Sequence, residues 1–208
     1  MLFILTGEKR SGKTRWLNRL IKQLAKADVT CHGLLTPGIW QKQVDESGTA
    51  GYEKLGIDAV LLPEGIRYLF ALPRDLIEHK SQFDENWQSV QANLNWVITD
   101  EMLNRVNSFF DELAVSSSSH LSDKCGFKKP GFLIIDELGP LELIRNGGLT
   151  SAVKALEQGP TQRYQHALIV VRKGLLDIAL DRFSKPWGEP SVITADNKSR
   201  ALVLNLFR

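Results

Sequence analysis

The apolar positions at the start of the chain fall into two successive patterns. Leu2–Leu5 is a continuous apolar run with the length of one buried strand. A glycine-containing turn follows, and leucine and isoleucine then recur at helical spacing over residues 17–24, with basic and amide side chains between them. The sequence therefore predicts a strand, a loop and an amphipathic helix that begins at Lys13 and ends near Asp28.

Residues 29–72 show a different pattern, in which short apolar stretches are separated by turn residues about every ten positions. Turns are predicted at Pro37-Gly38, at 45–48 and at 63–65, where proline, glycine and acidic residues cluster. Such spacing is typical of antiparallel strands. We therefore expect a hairpin extension over about residues 29–72, in the place where a crossover helix would follow the second parallel strand.

The middle of the chain contains one ambiguous segment and one clear helix. Residues 74–98 are ambiguous: apolar side chains at alternating intervals of four and three favour a helix, but Asn93 and Asn95 weaken it; these apolar side chains are Phe83, Trp87, Val90, Leu94 and Val97. Thr99 is the expected N-cap of the clear helix, which carries an apolar stripe from Met102 to Leu113. A polar, flexible loop is expected over about residues 116–130 because serines and charged residues dominate there.

The second half of the chain alternates between strands and helices. Strands are predicted at 132–135, 167–171 and 190–194, and helices at 150–158, 175–183 and 197–208. This alternation favours a mainly parallel α/β sheet. No internal repeat is visible, so we expect one domain over residues 1–208.

The composition and net charge of the chain limit the kinds of binding partner that we expect. The chain has 208 residues, 43% of them hydrophobic, and a net charge of +2, which gives no support for a nucleic-acid or membrane-surface partner. No apolar run reaches the length of a transmembrane helix. The two cysteines, Cys31 and Cys125, lack metal-ligand spacing and are expected to be reduced thiols of a cytoplasmic protein.

The turn after the first strand matches the phosphate-binding pattern G-x-x-x-x-G-K-[ST]. In this pattern the loop amides surround phosphate oxygens, the lysine reaches the β- and γ-phosphates, and the threonine hydroxyl is a ligand of Mg²⁺. The predicted nucleotide-binding residues are Gly7, Glu8, Lys9, Arg10, Ser11, Gly12, Lys13, Thr14 and Arg15, with Lys13 also catalytic and Thr14 also a metal ligand.

A second pattern is an apolar strand that ends in two acids, Asp136 and Glu137. Opposite a phosphate loop, the first acid is expected to hold Mg²⁺ and the second to polarise the attacking water. Three arginines are candidates for an arginine finger, of which Arg172 ranks first because it follows a strand: Arg172, Arg182 and Arg200. Asn197 follows the last strand and is predicted to contact the base, the alternative being a helix cap.

Several phrases together resemble the THEP1-type nucleoside triphosphatases. The matching phrases are Gly7–Thr14, Gly33–Pro37, Gly56–Asp58, Ile134–Leu143, Val170–Arg172 and Ile193–Arg200. The chain departs from that family at Gly38, where an acidic residue is usual, and in 94–100, where an arginine- and glycine-rich segment has no counterpart.

The resemblance implies a P-loop NTPase fold: a three-layer α/β sandwich with a mainly parallel, RecA-like sheet and the antiparallel hairpin extension. It also implies Mg²⁺-dependent hydrolysis of nucleoside triphosphates such as ATP or GTP, with loose base preference. Two alternatives stay open. One is a small-molecule or nucleotide kinase, whose arginine-rich lid is not found in the sequence. The other is a nucleotide-operated module that binds a protein partner through the hairpins and the serine-rich loop.

Overall fold

The computed structural model describes residues 1–44, 50–115 and 130–207. Within these residues, the strands are joined by hydrogen bonds into one nine-stranded sheet. They are β1 (Leu2–Leu5), β2 (Cys31–Leu35), β3 (Gly38–Val44), β4 (Ala50–Leu62), β5 (Ile66–Pro73), β6 (Trp96–Val97), β7 (Gly131–Leu138), β8 (Tyr164–Val171) and β9 (Ser191–Ile193).

The helices pack against this sheet. They are α1 (Lys13–Lys26), α2 (Arg74–Ile77), α3 (Gln88–Gln91), α4 (Asp100–Val115), α5 (Pro140–Leu143), α6 (Thr150–Gln158), α7 (Leu176–Trp187) and α8 (Asn197–Leu204), with short 3₁₀ turns at Lys173–Leu175 and Asn205–Phe207. The predicted cap of α4 is confirmed, since the Thr99 hydroxyl accepts a hydrogen bond from the Met102 amide at 3.1 Å. No helix in the described ranges is both long and apolar enough to cross a bilayer.

The sheet has a parallel part and an antiparallel part. Its order is β6-β5-β4-β2-β7-β8-β1-β9, with β3 paired to β4. Strands β2, β7, β8, β1 and β9 are parallel to their neighbours in this series, while β3 to β6 pair in antiparallel fashion. Strand β8 lies between β1, which leads into the phosphate loop, and β7, which carries the acid pair. The predicted α/β class, with a parallel core and an antiparallel extension, is confirmed.

Helices cover both faces of the parallel part, because alternate residues of β1 face opposite sides. Phe3 and Leu5 are fully buried in a core that contains the apolar side of α1 and Val203 of α8. Leu2 and Ile4 are fully buried in a larger core formed with α4, α6 and α7. The result is the expected three-layer arrangement, in which β1 is inaccessible to solvent on both sides.

The β3–β4 hairpin extends beyond the parallel strands. Leu35 at the end of β2 pairs with Val60 of β4, and the Asp58 amide then bonds the Pro37 carbonyl at 2.9 Å. From Gly56 back to Ala50, β4 is paired with β3 alone. Because β2 ends where the hairpin begins, this arm projects from the carboxyl edge of the parallel sheet, the edge at which ligands bind in open α/β folds.

The helix favoured within residues 74–98 is wrong. The segment forms only the short helices α2 and α3 and the short strand β6. Its apolar residues converge on a small separate core of Ile77, Val90 and Val97, against which Leu72, Phe83 and Trp87 pack. The apolar residues have helical spacing in the sequence because several short elements each contribute residues to one apolar cluster. The turn predicted at 45–48 and the loop predicted at 116–130, apart from Pro130, lie outside the described residues.

Candidate functional site

The phosphate loop joins β1 to α1 and leaves its main chain open to solvent. Gly12 has φ of 84°, a left-handed conformation that a side chain disfavours, and α1 starts at the next residue. The Lys13 ammonium donates hydrogen bonds to the Gly7 carbonyl at 2.9 Å and the Glu8 carbonyl at 2.8 Å. The lysine thus lies inside the loop curve, with its charge aimed at the space that the loop amides surround.

The remaining predicted loop residues surround this lysine. Lys13 is buried and Thr14 is half-buried, whereas the other loop side chains reach solvent: Glu8, Lys9, Arg10, Ser11 and Arg15. Cations among them give the loop mouth a positive potential, which attracts a polyphosphate. The loop therefore presents three exposed cations, Lys9, Arg10 and Arg15, around the buried Lys13.

Asp136 is the buried member of the acid pair, with 1% of its surface exposed. Its Oδ2 accepts a hydrogen bond from the Thr36 amide at 3.2 Å. Burial raises the pKa of Asp136 to about 7, with a further contribution from the neighbouring Glu137, although the Thr36 amide and the nearby Thr14 hydroxyl oppose the rise. Asp136 is therefore bound to the residue that follows β2 and lies close to the phosphate loop.

Glu137 is the exposed member of the pair and is bound to Arg172. The Arg172 Nε lies 2.7 Å from the Glu137 Oε1, with 54% and 29% of the two side chains exposed. The pairing follows from the sheet, because Leu138 of β7 lies opposite Val171 of β8. Two residues separated by more than thirty positions in sequence thereby meet at the carboxyl edge.

The oxygen atoms of Thr14 and Asp136 fit a magnesium ion that is also held by substrate. Mg²⁺ prefers oxygen ligands and is usually bound by one or two carboxylates together with phosphates and water. No group of three or more histidine, cysteine, aspartate or glutamate side chains in the described part of the chain could hold a metal alone. One hydroxyl and one carboxylate close to each other are the protein contribution that a metal–nucleotide complex requires.

The other two arginine candidates are bound elsewhere. Arg182 donates to Glu157 at 2.8 Å and to the Glu142 carbonyl at 3.0 Å, so its guanidinium is committed to structural contacts. Arg200 bonds Asn197, its neighbour on α8. Neither meets the acid pair, which leaves Arg172 as the arginine that the structure brings to Glu137.

Asn197 is the first residue of α8 and is exposed, while Asp196 is the residue that caps the helix. The Asp196 carboxylate accepts the Ser199 amide at 2.7 Å, and its carbonyl accepts the indole N–H of Trp16 on α1 at 2.7 Å. The alternative prediction, that Asn197 is the helix cap, is therefore wrong. The Trp16 bond holds the start of α8 against the helix that follows the phosphate loop.

Glu142 lies after the acid pair in the same phrase but has a structural position. Its side chain is buried, and its two oxygens accept the Gly139 amide at 2.8 Å and the Leu149 amide at 3.1 Å. Burial raises the pKa of this carboxyl group, against the effect of these bonds. Glu142 thereby fixes the segment that follows Glu137 instead of facing the phosphate loop.

Sequence reasoning missed two residues at this edge, Thr36 and Lys54. Thr36 could have been inferred from its place directly after a buried strand that is parallel to the acid-bearing one. Lys54 gave no signal, because its position depends on how the strands of the β3–β4 hairpin pair beyond the edge of the parallel sheet.

Two solved structures match nearly the whole chain. The crystal structure of THEP1 from the hyperthermophile Aquifex aeolicus has a TM-score of 0.57 and 14% identity, over 100% of this chain and 97% of that one. The solution structure of a human cancer-related nucleoside triphosphatase has a TM-score of 0.57 and 17% identity, over 99% and 94%. This chain has the fold of the THEP1-type nucleoside triphosphatases.

The resemblance predicted from the sequence is thus confirmed for the fold. No protein-family model matches the chain, and no curated protein does so either. A shared fold does not determine activity, which depends on the residues of the site itself.

Proposed function

We propose that the chain is a Mg²⁺-dependent nucleoside triphosphatase that converts ATP or GTP to the diphosphate and phosphate. One observation carries the proposal: the phosphate loop that follows β1 and the acid pair at the end of β7 lie at the same carboxyl edge of the parallel sheet, with only β8 between the two strands. The two halves of a metal–nucleotide site, far apart in sequence, are therefore neighbours, and the Thr14 hydroxyl is close enough to lower the pKa of Asp136. The human structural neighbour is named a nucleoside triphosphatase, which supports the same class of activity.

Each residue has a distinct role in this proposal. Lys13 and the loop amides from Gly7 to Gly12 bind the β- and γ-phosphates, and Arg15 adds positive charge at the mouth. Thr14 and Asp136 would hold Mg²⁺, which when bound neutralises charge on the phosphate oxygens. Asn197, at the start of α8, contacts the base.

Glu137 orients a water molecule and takes its proton as the water oxygen bonds the γ-phosphorus. The bond between that phosphorus and the β–γ bridging oxygen breaks, which releases the diphosphate and inorganic phosphate. Arg172, bound to Glu137 at 2.7 Å, keeps the carboxylate in place and lies near enough to neutralise charge on the reacting phosphate. Asp136 is buried and is assigned to the metal, so it is not the base in this proposal.

Replacing Glu137 by glutamine tests the assignment. The amide keeps the size of the side chain but cannot take a proton, so single-turnover hydrolysis of ATP should fall by about 10²–10⁴-fold. ATP affinity, measured by calorimetry with Mg²⁺, should change little, since other residues bind the phosphates. Hydrolysis at the wild-type rate would show that the base is elsewhere.

Glu157→Gln is the matched control. Glu157 is also a partly exposed glutamate bound to the Nε of an arginine, at 2.8 Å, but it lies away from the phosphate loop. Its replacement removes the same kind of ion pair and should leave hydrolysis unchanged. Equal losses in the two variants would mean that ion-pair removal, and not loss of a base, lowers the rate.

Base preference and reaction class require one further assay. Phosphate release is measured with ATP, GTP, CTP and UTP, with Mg²⁺ and with a chelator, in the absence of any phosphoryl acceptor. A triphosphatase releases phosphate under these conditions, whereas a kinase needs an acceptor hydroxyl. Comparable rates for the four nucleotides would support loose base preference, and loss of activity with the chelator would support the metal requirement.

A further inference from the structure

Lys54 on the overhanging arm of β4 points back toward the root of the hairpin, which begins just after Thr36, the residue whose amide bonds Asp136. It lies opposite Trp40 of β3, on the face that Gly38 shares. A side-chain carbon at Gly38 would lie 2.7 Å from the Lys54 Cε and 2.7 Å from the Trp40 Nε1. The lysine stem therefore crosses the space that Gly38 leaves free, and it runs toward the root of the hairpin next to Thr36.

The Lys54 ammonium has a defined position. It lies 4.5 Å from the ring centroid of Trp96, in a cation–π contact with the short edge strand β6. It forms no salt bridge with any carboxylate in the described ranges. An aromatic ring holds the charge in place without neutralising it, so the charge is free to act on an anionic ligand.

The charged groups that act on the Lys54 ammonium show where it lies in the candidate site. Burial lowers the pKa of Lys54, the acid pair Glu137 and Asp136 raises it, and the loop cations Lys9 and Arg10 lower it. Lys54 thus interacts with both sides of the candidate site, the acidic end of β7 and the basic mouth of the loop. In phosphoryl-transfer sites the γ-phosphate lies between these two sides.

We propose that Lys54 contacts the γ-phosphate of the bound nucleotide from the hairpin, on the side opposite Lys13, and stabilises the charge that develops during hydrolysis. This inference rests on the proposed triphosphatase function and adds a catalytic residue to it. It also gives the hairpin a role. The phosphate loop contacts the γ-phosphate from one side only, and the overhanging hairpin supplies a cation from the other side. The room that Gly38 leaves is what lets the lysine reach inward.

The test replaces Lys54 by methionine, which keeps the stem over Gly38 and removes the charge. Because loss of one preorganised donor typically costs about 10²–10³-fold in rate, single-turnover hydrolysis of ATP should fall at least tenfold. The affinity for ATP should weaken relative to that for ADP, which lacks the γ-phosphate. Lys54→Gln, read in the same assays, replaces the methionine variant if the latter does not fold.

Lys42→Met is the control, because Lys42 is an exposed lysine on the same face of the same hairpin, two pairs farther out. It should leave the rate and both affinities unchanged. If Lys54→Met hydrolyses ATP like the wild type, or weakens ATP and ADP equally, the role of Lys54 is overturned while the proposed function stands. If the wild type neither binds nor hydrolyses nucleotides, the proposed function is overturned and this inference with it.

Discussion

Replacement of Asp136 by asparagine should stabilise the ligand-free protein at neutral and alkaline pH. The carboxylate is buried among Thr36, Thr14 and Glu137, and its pKa of about 7 compares with 3.8 for an exposed aspartate. At about 1.4 kcal/mol per pH unit, keeping this carboxylate ionised in the folded state costs roughly 4 kcal/mol. Asparagine has no charge to bury and still accepts the Thr36 amide, but it binds the hydroxyls less well, so we expect a net gain of about 1–3 kcal/mol.

The sign of the pH dependence follows from proton binding. Between about pH 4 and pH 7 the folded chain holds a proton on Asp136 that the unfolded chain has released, so stability falls as the pH rises through this range. Below that range the carboxyl group is neutral in both states. The advantage of Asp136→Asn should therefore be absent near pH 4, grow with pH, and be complete slightly above pH 7.

Urea unfolding at several pH values measures this advantage. Mg²⁺ and nucleotide must be left out, because ligand binding to the folded state would change the apparent stability of the wild type. Asp196→Asn is the control of opposite sign, since hydrogen bonds from Ser199 lower the pKa of Asp196 and its charge favours the folded state. That variant should lose stability at pH 8. Equal or lower stability of Asp136→Asn at pH 8 would refute the reasoning.

Two further predictions concern the phosphate loop and the segment after the acid pair. Lys13→Met should lower ATP affinity in calorimetry by at least tenfold, because a charged hydrogen bond contributes about 1.5–3 kcal/mol, whereas exposed Lys22→Met should not. Gly148→Ala should cost at least about 2 kcal/mol more in urea unfolding than Gly188→Ala. Both glycines have positive φ, but a side-chain carbon at Gly148 would meet a Glu142 oxygen at 2.0 Å, and at Gly188 it meets nothing within 4 Å. Wild-type affinity in the first variant, or equal losses in the second pair, would contradict these expectations.

The sequence predicted the fold best where local pattern and final contacts coincide. Leu2–Leu5 and α1 were predictable because one side of each element is buried by residues of the same βα unit. Residues 74–98 were not, since Phe83, Val90 and Val97 reach their small core from separate short elements. Their spacing imitates a helix, and only the tertiary contacts distinguish the two cases.

The residues of the candidate site divide in the same way, into those that a local pattern predicts and those that depend on tertiary contacts. The phosphate loop is contiguous in sequence, so its residues could be named before its shape was known. The pairing of Glu137 with Arg172 could be anticipated from two strand ends, and Thr36 could have been inferred in the same way, but Lys54 could not be placed without knowing how the hairpin lies. Contacts across a sheet depend on strand order and register, neither of which local periodicity contains.

The overhanging hairpin also limits how this site can vary. Successive side chains of a strand point to opposite faces, so one residue inserted between the sheet and Lys54 would turn the lysine away from the phosphate loop. Two residues inserted in each strand of the hairpin would keep Lys54 on the same face of the sheet and move it by about 7 Å along the strand. Related chains can therefore lengthen or shorten this arm only in two-residue steps if a cation is to remain over the nucleotide. Insertion of an odd number of residues would require a second bulge, such as the one between Ile39 and Trp40, to return the lysine to the original face.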